Sequence, residues 1–308
     1  MKNFEPMNAA LLHERLTWPE EPVDVCLDTD TYNEIDDQFA LVYALLSPER
    51  INLKAVYAAP FHNERSNGPE DGMLKSYEEI RRILAFMDRD PALAFKGCDR
   101  WLPDANTPVR SPAVEHMIEM ARAPREGPLY VVAVGAITNV VSALLAAPDI
   151  LEKIVVLWLG GHPLHWATAS EFNLCGDLTA SRVLFDCGVP LVFFPCRFVA
   201  EAISTTLAEV ERYCLGRGKI GTYLYEIFRD FEPTDLTIAG TSKVIWDLAP
   251  VGWLINHDWY RADVVSSPIL TGGATWNVDQ SRHFMREIKV IFRDRVFGDL
   301  FQKLEALG

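Results

Sequence analysis

The stretch VDVCLDTDTYNEIDDQFALVYALL, residues 23–46, decides the fold because it joins a strand pattern to a helix pattern through a run of carboxylates. Residues 23–27 contain Val, Cys and Leu, which favour an enclosed, pleated surface and predict a buried strand. Residues 38–46 are apolar, follow two aspartates that can open a helix, and end before Pro48, so they predict a helix. Between the two elements stand Asp28, Asp30, Asp36 and Asp37.

These four aspartates are predicted where the carboxyl end of a strand meets the amino end of a helix. Open α/β sheets bind their ligands at that edge. Clustered carboxylates repel one another and raise each other's pKa unless a cation lies among them, and a hard divalent ion such as calcium takes several oxygen ligands. We therefore predict a metal or sugar site, in preference to the alternative in which Asp36 only caps the helix and Asp28 and Asp30 face water.

Two other aspartate-rich motifs fit this run less well. An EF-hand loop beginning at Asp28 would need Gly at its sixth position and Glu at its twelfth, where Asn33 and Phe39 stand. A phosphatase of the haloacid dehalogenase type also begins with Asp-x-Asp after a strand, but it usually has Thr or Val at the position of Tyr32. The phosphatase is kept as an alternative.

Strand and helix patterns alternate along the rest of the chain, which predicts an α/β fold with an open, mostly parallel sheet flanked by helices. A chain of 308 residues that is 49% hydrophobic can bury one large core, so residues 1–308 are predicted to form a single domain. The predicted strands are residues 51–59, 129–134, 154–159, 190–194, 262–270 and 284–292. The predicted helices are residues 74–87, 111–123, 177–187, 207–228 and 296–307. A helical cap over the site is predicted at about residues 204–240.

The composition narrows the range of partners. A net charge of −14 and a pI near 5.0 argue against binding a phosphate backbone, which needs a basic face. The six cysteines lack Cys-x-x-Cys spacing and predict reduced core thiols rather than zinc ligands or disulfides. Neither a signal peptide nor an apolar stretch of about 20 residues is visible. We expect a cytoplasmic protein that binds a small molecule, with no nucleic-acid or membrane partner.

The order of motifs along the chain resembles the nucleoside hydrolase family, whose members use calcium to cleave the N-glycosidic bond of ribonucleosides. The Asp-x-Asp, loop, Asp-Asp and apolar helix resemble its amino-terminal signature, although residues 31–35 form a five-residue loop where three residues are usual. GAITN at 135–139, EFN at 171–173 and WDLAP at 246–250 resemble its Gly-x-x-Thr-Asn, Glu-Phe-Asn and His-Asp-Pro-Leu-Ala motifs. The resemblance runs from about residue 23 to the end and implies that family's fold.

The resemblance also implies a division of roles. Calcium would be held by Asp30, Asp37, the Thr138 carbonyl and Asp247, and Asp30 would also be the catalytic general base. The ion would orient a water and clamp the ribose 2′- and 3′-hydroxyls. Asp28 would support the loop from behind the ligands. The residues expected to bind the ribosyl substrate are Asp36, Asn63, Glu171 and Asn173. If residues 171–173 are extended, the outer two side chains face the site and Phe172 faces away.

The departures from the family pattern fall on the side of the leaving base. Trp246 stands where the family often has a histidine linked to protonating that base, and an indole cannot act as a general acid. Trp246 is therefore expected to stack on the base, and His165 replaces an asparagine of the substrate site. The candidate acids are His165, His162, His62, Tyr223 and Tyr225.

Two functions from different classes follow from these observations. The first is a calcium-dependent N-ribosyl hydrolase, acting on a ribonucleoside or a related ribosyl compound. The second is a non-hydrolytic calcium- and ribosyl-binding protein that keeps the metal and ribose residues but lacks leaving-group chemistry. In either case the resemblance implies a homo-oligomer, a dimer or a tetramer.

Overall fold

The computed structural model describes residues 4–232 and 234–307 and is built around an eight-stranded sheet. In chain order the strands of these residues are β1 (Val23–Thr29), β2 (Ile51–Ala58), β3 (Ala94–Lys96), β4 (Leu129–Ala133), β5 (Ile154–Leu159), β6 (Leu191–Phe194), β7 (Ser204–Thr206), β8 (Ser242–Val244), β9 (Tyr260–Ser266), β10 (Ile269–Leu270), β11 (Trp276–Asn277) and β12 (Phe284–Ile291). The main sheet has the order β3-β2-β1-β4-β5-β6-β12-β9, and its neighbours are parallel except for the antiparallel pair β12 and β9. The open, mostly parallel sheet predicted from the sequence is confirmed.

Helices connect these strands and cover both faces of the sheet. In chain order they are α1 (Ala9–Leu16), α2 (Asp36–Leu45), α3 (Pro69–Phe86), α4 (Pro112–Arg122), α5 (Thr138–Ala146), α6 (Phe172–Gly176), α7 (Leu178–Cys187), α8 (Leu207–Cys214), α9 (Gly218–Arg229), α10 (Leu248–Ile255) and α11 (Arg293–Glu305). Successive side chains of a strand point to opposite faces, and Val25 and Leu27 accordingly lie in one hydrophobic cluster while Cys26 lies in the other. The first cluster includes α2, α10 and α11, and the second includes α4, α5 and α7.

Most predicted elements are found close to their expected bounds, and the differences have local causes. Residues 207–228 form two helices, because Gly216 and Gly218 have φ values of +79° and +64° that interrupt the helix. Residues 262–270 form strands of two different sheets, separated by Pro268, which lacks a backbone N–H for pairing. Helix α3 begins at Pro69, ahead of its predicted start, since proline suits the first turn of a helix.

A membrane-spanning helix needs about 20 apolar residues. Among the described residues, no helix combines the length and the hydrophobicity needed to cross a bilayer. Five of the six cysteines are buried, all six are free thiols, and Cys175 is the exposed one. The predicted core placement therefore holds for five of the thiols and is wrong for Cys175.

Candidate active site

Strands β2 and β3 lie on one side of β1, and β4, β5 and β6 lie on the other side. In an open α/β sheet, a crevice forms at the carboxyl ends of the two strands where the order changes direction in this way, here β1 and β4. Asp30 follows β1 at this edge and Gly135 follows β4. A β-carbon built at position 135 would lie 3.1 Å from Asp30 Cγ, so the absence of a side chain there lets the β4 turn approach the carboxylate.

A cavity of about 280 Å³ opens at this edge, which we call the first cavity. The turns after β1, β4, β5 and β6 contribute to its walls, together with the segments before α6 and α10. Its lining residues are Asp30, Asn33, Glu34, Asp36, Asp37, Val134, Leu159, His162, Ser170, Glu171, Phe172, Asn173, Cys196, Arg197, Trp246 and Asp247. Residues far apart in the sequence therefore meet at the edge that the sequence predicts as the binding site.

Three carboxylates in this cavity are close enough to share an ion. One oxygen each of Asp36, Asp37 and Asp247 lies within 4.8 Å of the others. Asp30 adds a fourth negative charge that acts on both Asp37 and Asp247. All four side chains belong to residues that are 5% exposed or less, so solvent does little to screen their repulsion.

Burial and mutual repulsion raise the pKa of these carboxyls. Burial, with the charge of Asp36 second, raises the pKa of Asp37 to about 8. Burial raises the pKa of Asp36 to about 6, against the opposing effect of Lys243. Burial and the neighbouring aspartates hold the pKa of Asp30 and of Asp247 well above the usual range. Holding these groups ionised together at neutral pH requires further positive charge.

The donor set fits a hard divalent cation. Asp30 Oδ2 is buried without a hydrogen-bond partner, and Asp247 precedes α10 without using its side chain to cap that helix. Asp37 accepts a hydrogen bond from Thr29, which orients its carboxylate. Oxygen-only ligands with several negative charges suit calcium better than softer metals.

Thr138 is placed differently from the carboxylates. It is fully buried at the start of α5, and its hydroxyl donates to Asp177 at 2.9 Å. It is not among the residues that line the first cavity. A role for its backbone carbonyl stays a prediction.

Lys243 is a cationic neighbour of the cluster that the sequence reasoning missed. Its ammonium pairs with Glu34, which belongs to the five-residue loop before α2, and its charge acts on Asp36. Burial would lower the pKa of Lys243, but the charges of Asp36 and Glu34 outweigh that effect and raise it. The enlarged loop thus brings a lysine to the edge of the carboxylate cluster.

Glu171 and Asn173 line the first cavity, but their segment is not extended. Glu171 caps α6: its carboxylate accepts from the backbone N–H of Asn173 and of Leu174, each at 3.1 Å, and from that of Gly161 at 2.7 Å. The extended geometry predicted for residues 171–173 is therefore wrong, because this capping starts a helix at Phe172. Phe172 also lines the cavity instead of facing away from it.

Asn173 is tied to the ends of two strands. Its amide nitrogen donates to the carbonyls of Val134 at 2.9 Å and Leu159 at 3.1 Å. These two bonds use only the amide nitrogen, so Oδ1, which can only accept, takes no part in holding the strand ends. Asn173 therefore lines the cavity and also joins the chain at the ends of β4 and β5.

The remaining site residues expected from the sequence differ in their surroundings; they are Asn63, His165, Trp246 and Asp28. Trp246 lines the first cavity. Asn63 does not line it; its amide donates to Asn33 Oδ1 at 2.6 Å, from the side of a second cavity. His165 is exposed and lines neither cavity. Asp28 lies behind the cluster, with Oδ1 accepting from Asn139 at 2.7 Å, and burial raises its pKa to about 7.

Among the five candidate acids, only His162 lines the first cavity. Burial, followed by the charge of Arg197, lowers the pKa of His162 and favours the neutral imidazole. Tyr223 lines the second cavity, and its hydroxyl donates to Glu79. The remaining candidates, His62, His165 and Tyr225, line neither cavity.

Fold and cavity together define an α/β protein with a buried acidic site at the carboxyl edge of its sheet. Residues 25–296 match the model of the family described as inosine-uridine preferring nucleoside hydrolase. The chain belongs to this family and is an N-ribosyl hydrolase by class. The phosphatase alternative is thereby set aside.

Sequence relatives include two bacterial enzymes. The chain is 28% identical over 232 residues to the pyrimidine-specific ribonucleoside hydrolase RihA of Enterobacter sp. (strain 638), covering 67% of this chain and 70% of that protein. It is 30% identical over 169 residues to the pyrimidine-specific ribonucleoside hydrolase RihB of Shigella flexneri serotype 5b (strain 8401), covering 51% of this chain and 53% of that protein. The match thus spans about half the length of RihB.

The architecture agrees with solved structures at lower identity. The plant nucleoside hydrolase PpNRh1 superimposes with a TM-score of 0.70 at 19% identity, covering 92% of this chain and 99% of that one. The match demonstrates the same fold, and it confirms the fold expected from the motifs.

Proposed function

We propose that the protein hydrolyses the N-glycosidic bond of a ribonucleoside or related ribosyl compound with the help of one bound calcium ion, releasing the base and ribose. The observation that carries the proposal is the buried group formed by Asp36, Asp37 and Asp247, with Asp30 beside it, at the binding edge of the sheet. A screen of ribonucleosides by reducing-sugar release, with calcium and after chelation, tests it. Release of ribose from none of them would favour the binding-protein alternative.

The ion would be held by Asp30, Asp37 and Asp247, with the Thr138 carbonyl as a further ligand. Asp36 lies close enough to Asp37 and Asp247 to join the set or to hold a ribose hydroxyl beside it. When bound, calcium would supply positive charge that acidifies and orients a water and clamps the ribose hydroxyls.

The side chains around the ion site have separate tasks. Asp30 keeps one oxygen free of protein hydrogen bonds, so it can accept the proton of the attacking water. Asn173 Oδ1 can accept a hydrogen bond from a ribose hydroxyl while its amide nitrogen holds the two strand ends. Glu171 is positioned by three backbone N–H groups at the cavity, where its carboxylate would accept a hydrogen bond from a ribose hydroxyl.

Calcium is expected to raise the melting temperature of metal-stripped protein, because the ion offsets repulsion among buried carboxylates. The Asp247→Asn variant should lose most of this shift. The matched control is Asp263→Asn, which changes an exposed aspartate of β9 and should keep the full shift. Equal calcium-induced shifts in both variants, measured by differential scanning calorimetry, would contradict the assigned ligand.

The ion-free protein is expected to lose stability as pH rises. Asp36 and Asp37 have pKa values of about 6 and about 8 in the fold, above their ordinary value of 3.8, so the folded state holds more protons than the unfolded chain across this range. The melting temperature in chelator should therefore fall from pH 5 to pH 8, the window set by these values. Saturating calcium should flatten or reverse that slope, since the ion binds deprotonated ligands.

Asn173→Ala is expected to weaken both catalysis and folding while leaving calcium binding intact. The change removes a ligand acceptor and leaves two buried carbonyls without their donor, at about 1–3 kcal/mol for each unsatisfied group. The control is Asn52→Ala, whose amide donates to Asp24 at the protein surface. A normal melting temperature and normal kcat/KM for Asn173→Ala, measured with calcium present, would rule out both roles.

The homo-oligomer and the cap at about residues 204–240 stay predictions, as does the cytoplasmic location. Sedimentation velocity on the calcium-loaded protein tests the first of these.

A further inference from the structure

A second, larger cavity of about 760 Å³ lies beside the first. Asn33 and Glu34 line both cavities, so the five-residue loop of residues 31–35 borders the first and the second cavity where they adjoin. Its far side is built by the carboxyl-terminal part of α9 and the chain that follows. The loop that departs from the family pattern is therefore also the element that borders this cavity.

The second cavity carries a strong excess of negative charge. Six carboxylates line it, from Glu34, Glu64, Glu79, Glu226, Asp230 and Glu232, against one arginine. That residue, Arg65, stacks on the ring of Tyr32 and donates to the Glu34 carbonyl at 3.1 Å. Glu34 pairs with Lys243, Glu79 with Arg82 and Asp230 with Arg229, whereas Glu64 and Glu226 have no ion pair with any described residue. An anionic or phosphorylated group is disfavoured here.

Aromatic and amide groups complete the lining in a way that suits a flat heterocycle. Tyr32, Tyr223 and Phe231 line the cavity, and aromatic rings attract cations through their faces. Arg65 lies over the Tyr32 ring and Lys243 over the Phe231 ring, which leaves Tyr223 as the ring available to a ligand. Gln38 also lines it, is 3% exposed, and has an Oε1 without any hydrogen-bond partner. A buried amide oxygen that lacks a donor is costly, and a ligand substituent that donates a hydrogen bond would satisfy it.

The candidate acids give little help to a departing base. His162 lines the first cavity, but burial lowers its pKa and favours the neutral imidazole. Trp246 lines the first cavity but has no acidic proton at neutral pH. Tyr223 in the second cavity already donates its proton to Glu79. A neutral nucleoside loses its base as an anion unless an acid assists, so the site favours a substrate that does not need one.

We propose that the preferred substrate is a ribonucleoside whose glycosidic nitrogen belongs to a cationic heterocycle, and that this heterocycle lies against the acidic second cavity. The inference rests on the proposed hydrolase function and specifies its leaving group. Glu64 and Glu226 stabilise the positive charge, the Tyr223 ring contacts the heterocycle, and Gln38 binds its polar substituent.

The reaction balances without a protein acid. The water oxygen forms a bond to C1′ as the bond from C1′ to the cationic nitrogen breaks. The electron pair of that bond stays on nitrogen, which becomes neutral. One proton of the water passes to Asp30 and then to solvent. The products are ribose, a neutral heterocycle and a proton.

The test compares substrates that differ in charge, using calcium-loaded enzyme. The cationic probes are 7-methylguanosine and N-ribosylnicotinamide, and the neutral references are guanosine, uridine and nitrophenyl riboside. We expect kcat/KM for the cations to exceed that for guanosine and uridine by at least about 10²-fold, the scale of general-acid assistance. We also expect KM to be lower for the cations than for nitrophenyl riboside, which is neutral and also needs no acid.

The dependence of KM on ionic strength shows whether the enzyme recognises the charge of the cationic probes or whether these probes are only more reactive. Raising salt from about 20 mM to about 500 mM shortens the screening length several-fold and should raise KM for the cationic probes several-fold. KM for nitrophenyl riboside should change little. Salt-independent KM values for the cations, or KM values no lower than that of nitrophenyl riboside, would overturn the inference.

Two variants test the second cavity directly. The double variant Glu64→Gln and Glu226→Gln alters exposed carboxylates and should lower the ratio of kcat/KM for N-ribosylnicotinamide to that for nitrophenyl riboside about threefold or more. Gln38→Leu should lower the same ratio without lowering the melting temperature, since it removes a buried amide oxygen that has no partner. The control Glu152→Gln lies at an exposed position before β5, at the opposite edge of the sheet, and should leave the ratio unchanged.

The outcomes separate this inference from the function on which it rests. Cleavage of nitrophenyl riboside with no preference for the cations would refute the cationic substrate and leave the hydrolase assignment standing. Absence of ribose release from every probe would refute the hydrolase assignment itself.

Discussion

Asp30→Asn is expected to reduce kcat/KM for any hydrolysed ribosyl substrate by more than about 10³-fold, because it removes a proton acceptor and an anionic calcium ligand together. Asp30 is buried at the carboxyl end of β1 and keeps Oδ2 free of protein partners. The asparagine amide has nearly the same shape, so the loss would reflect chemistry more than packing. The measurement is ribose release under saturating calcium.

The same substitution should make the ion-free protein more stable, which distinguishes lost chemistry from misfolding. Burial and the neighbouring Asp37 and Asp36 hold the pKa of Asp30 well above its usual range, so removing its charge relieves repulsion. The control Asp263→Asn should keep both wild-type turnover and wild-type melting temperature. Near-wild-type hydrolysis of any substrate by Asp30→Asn would refute the mechanism.

Nitrophenyl riboside is expected to be cleaved far faster than inosine. Its leaving group departs without protonation, whereas inosine needs an acid, and such assistance is worth on the order of 10²–10⁴-fold. Trp246 stands in the first cavity, where the family pattern often has a histidine, and His162 is held toward its neutral form by burial. The two substrates are compared by kcat/KM in one assay with saturating calcium.

Comparable and fast turnover of inosine and nitrophenyl riboside would show that an acid is present. His162→Gln then identifies it, since the glutamine keeps a polar side chain but cannot carry the proton. Selective loss of inosine cleavage in that variant would assign the acid to His162. Nitrophenyl riboside cleavage serves as the internal control for folding and for the ion.

The carboxylates that lie close together in the sequence could be predicted from local sequence patterns. Residues 23–46 carry the strand, the aspartates and the helix in one stretch, so local patterns place the carboxylates at a strand end. Asp247 lies far along the chain and was included by resemblance alone. The structure places it with Asp36 and Asp37, within 4.8 Å between carboxylate oxygens.

Features that depend on tertiary contacts could not be predicted from local sequence patterns. Lys243 pairs with Glu34 across 209 residues, and no local pattern indicates that contact. Three residues are too few to show whether Glu-Phe-Asn is extended or helical, and the carboxylate of Glu171 in fact caps the short helix α6. The second cavity is formed by the 31–35 loop, α9 and their neighbours, whose approach is set by packing of the whole domain.

The central claim is that hydrolysis requires one ion held by the buried carboxylates, and a calcium titration of metal-stripped enzyme tests it most directly. Ribose release from nitrophenyl riboside should be absent in chelator and rise with added calcium to a plateau, with one ion bound per chain by isothermal titration calorimetry. The Asp247→Asn variant should need far more calcium to reach half of its own plateau. Full turnover in the presence of chelator, by protein shown to be free of metal, would contradict the account.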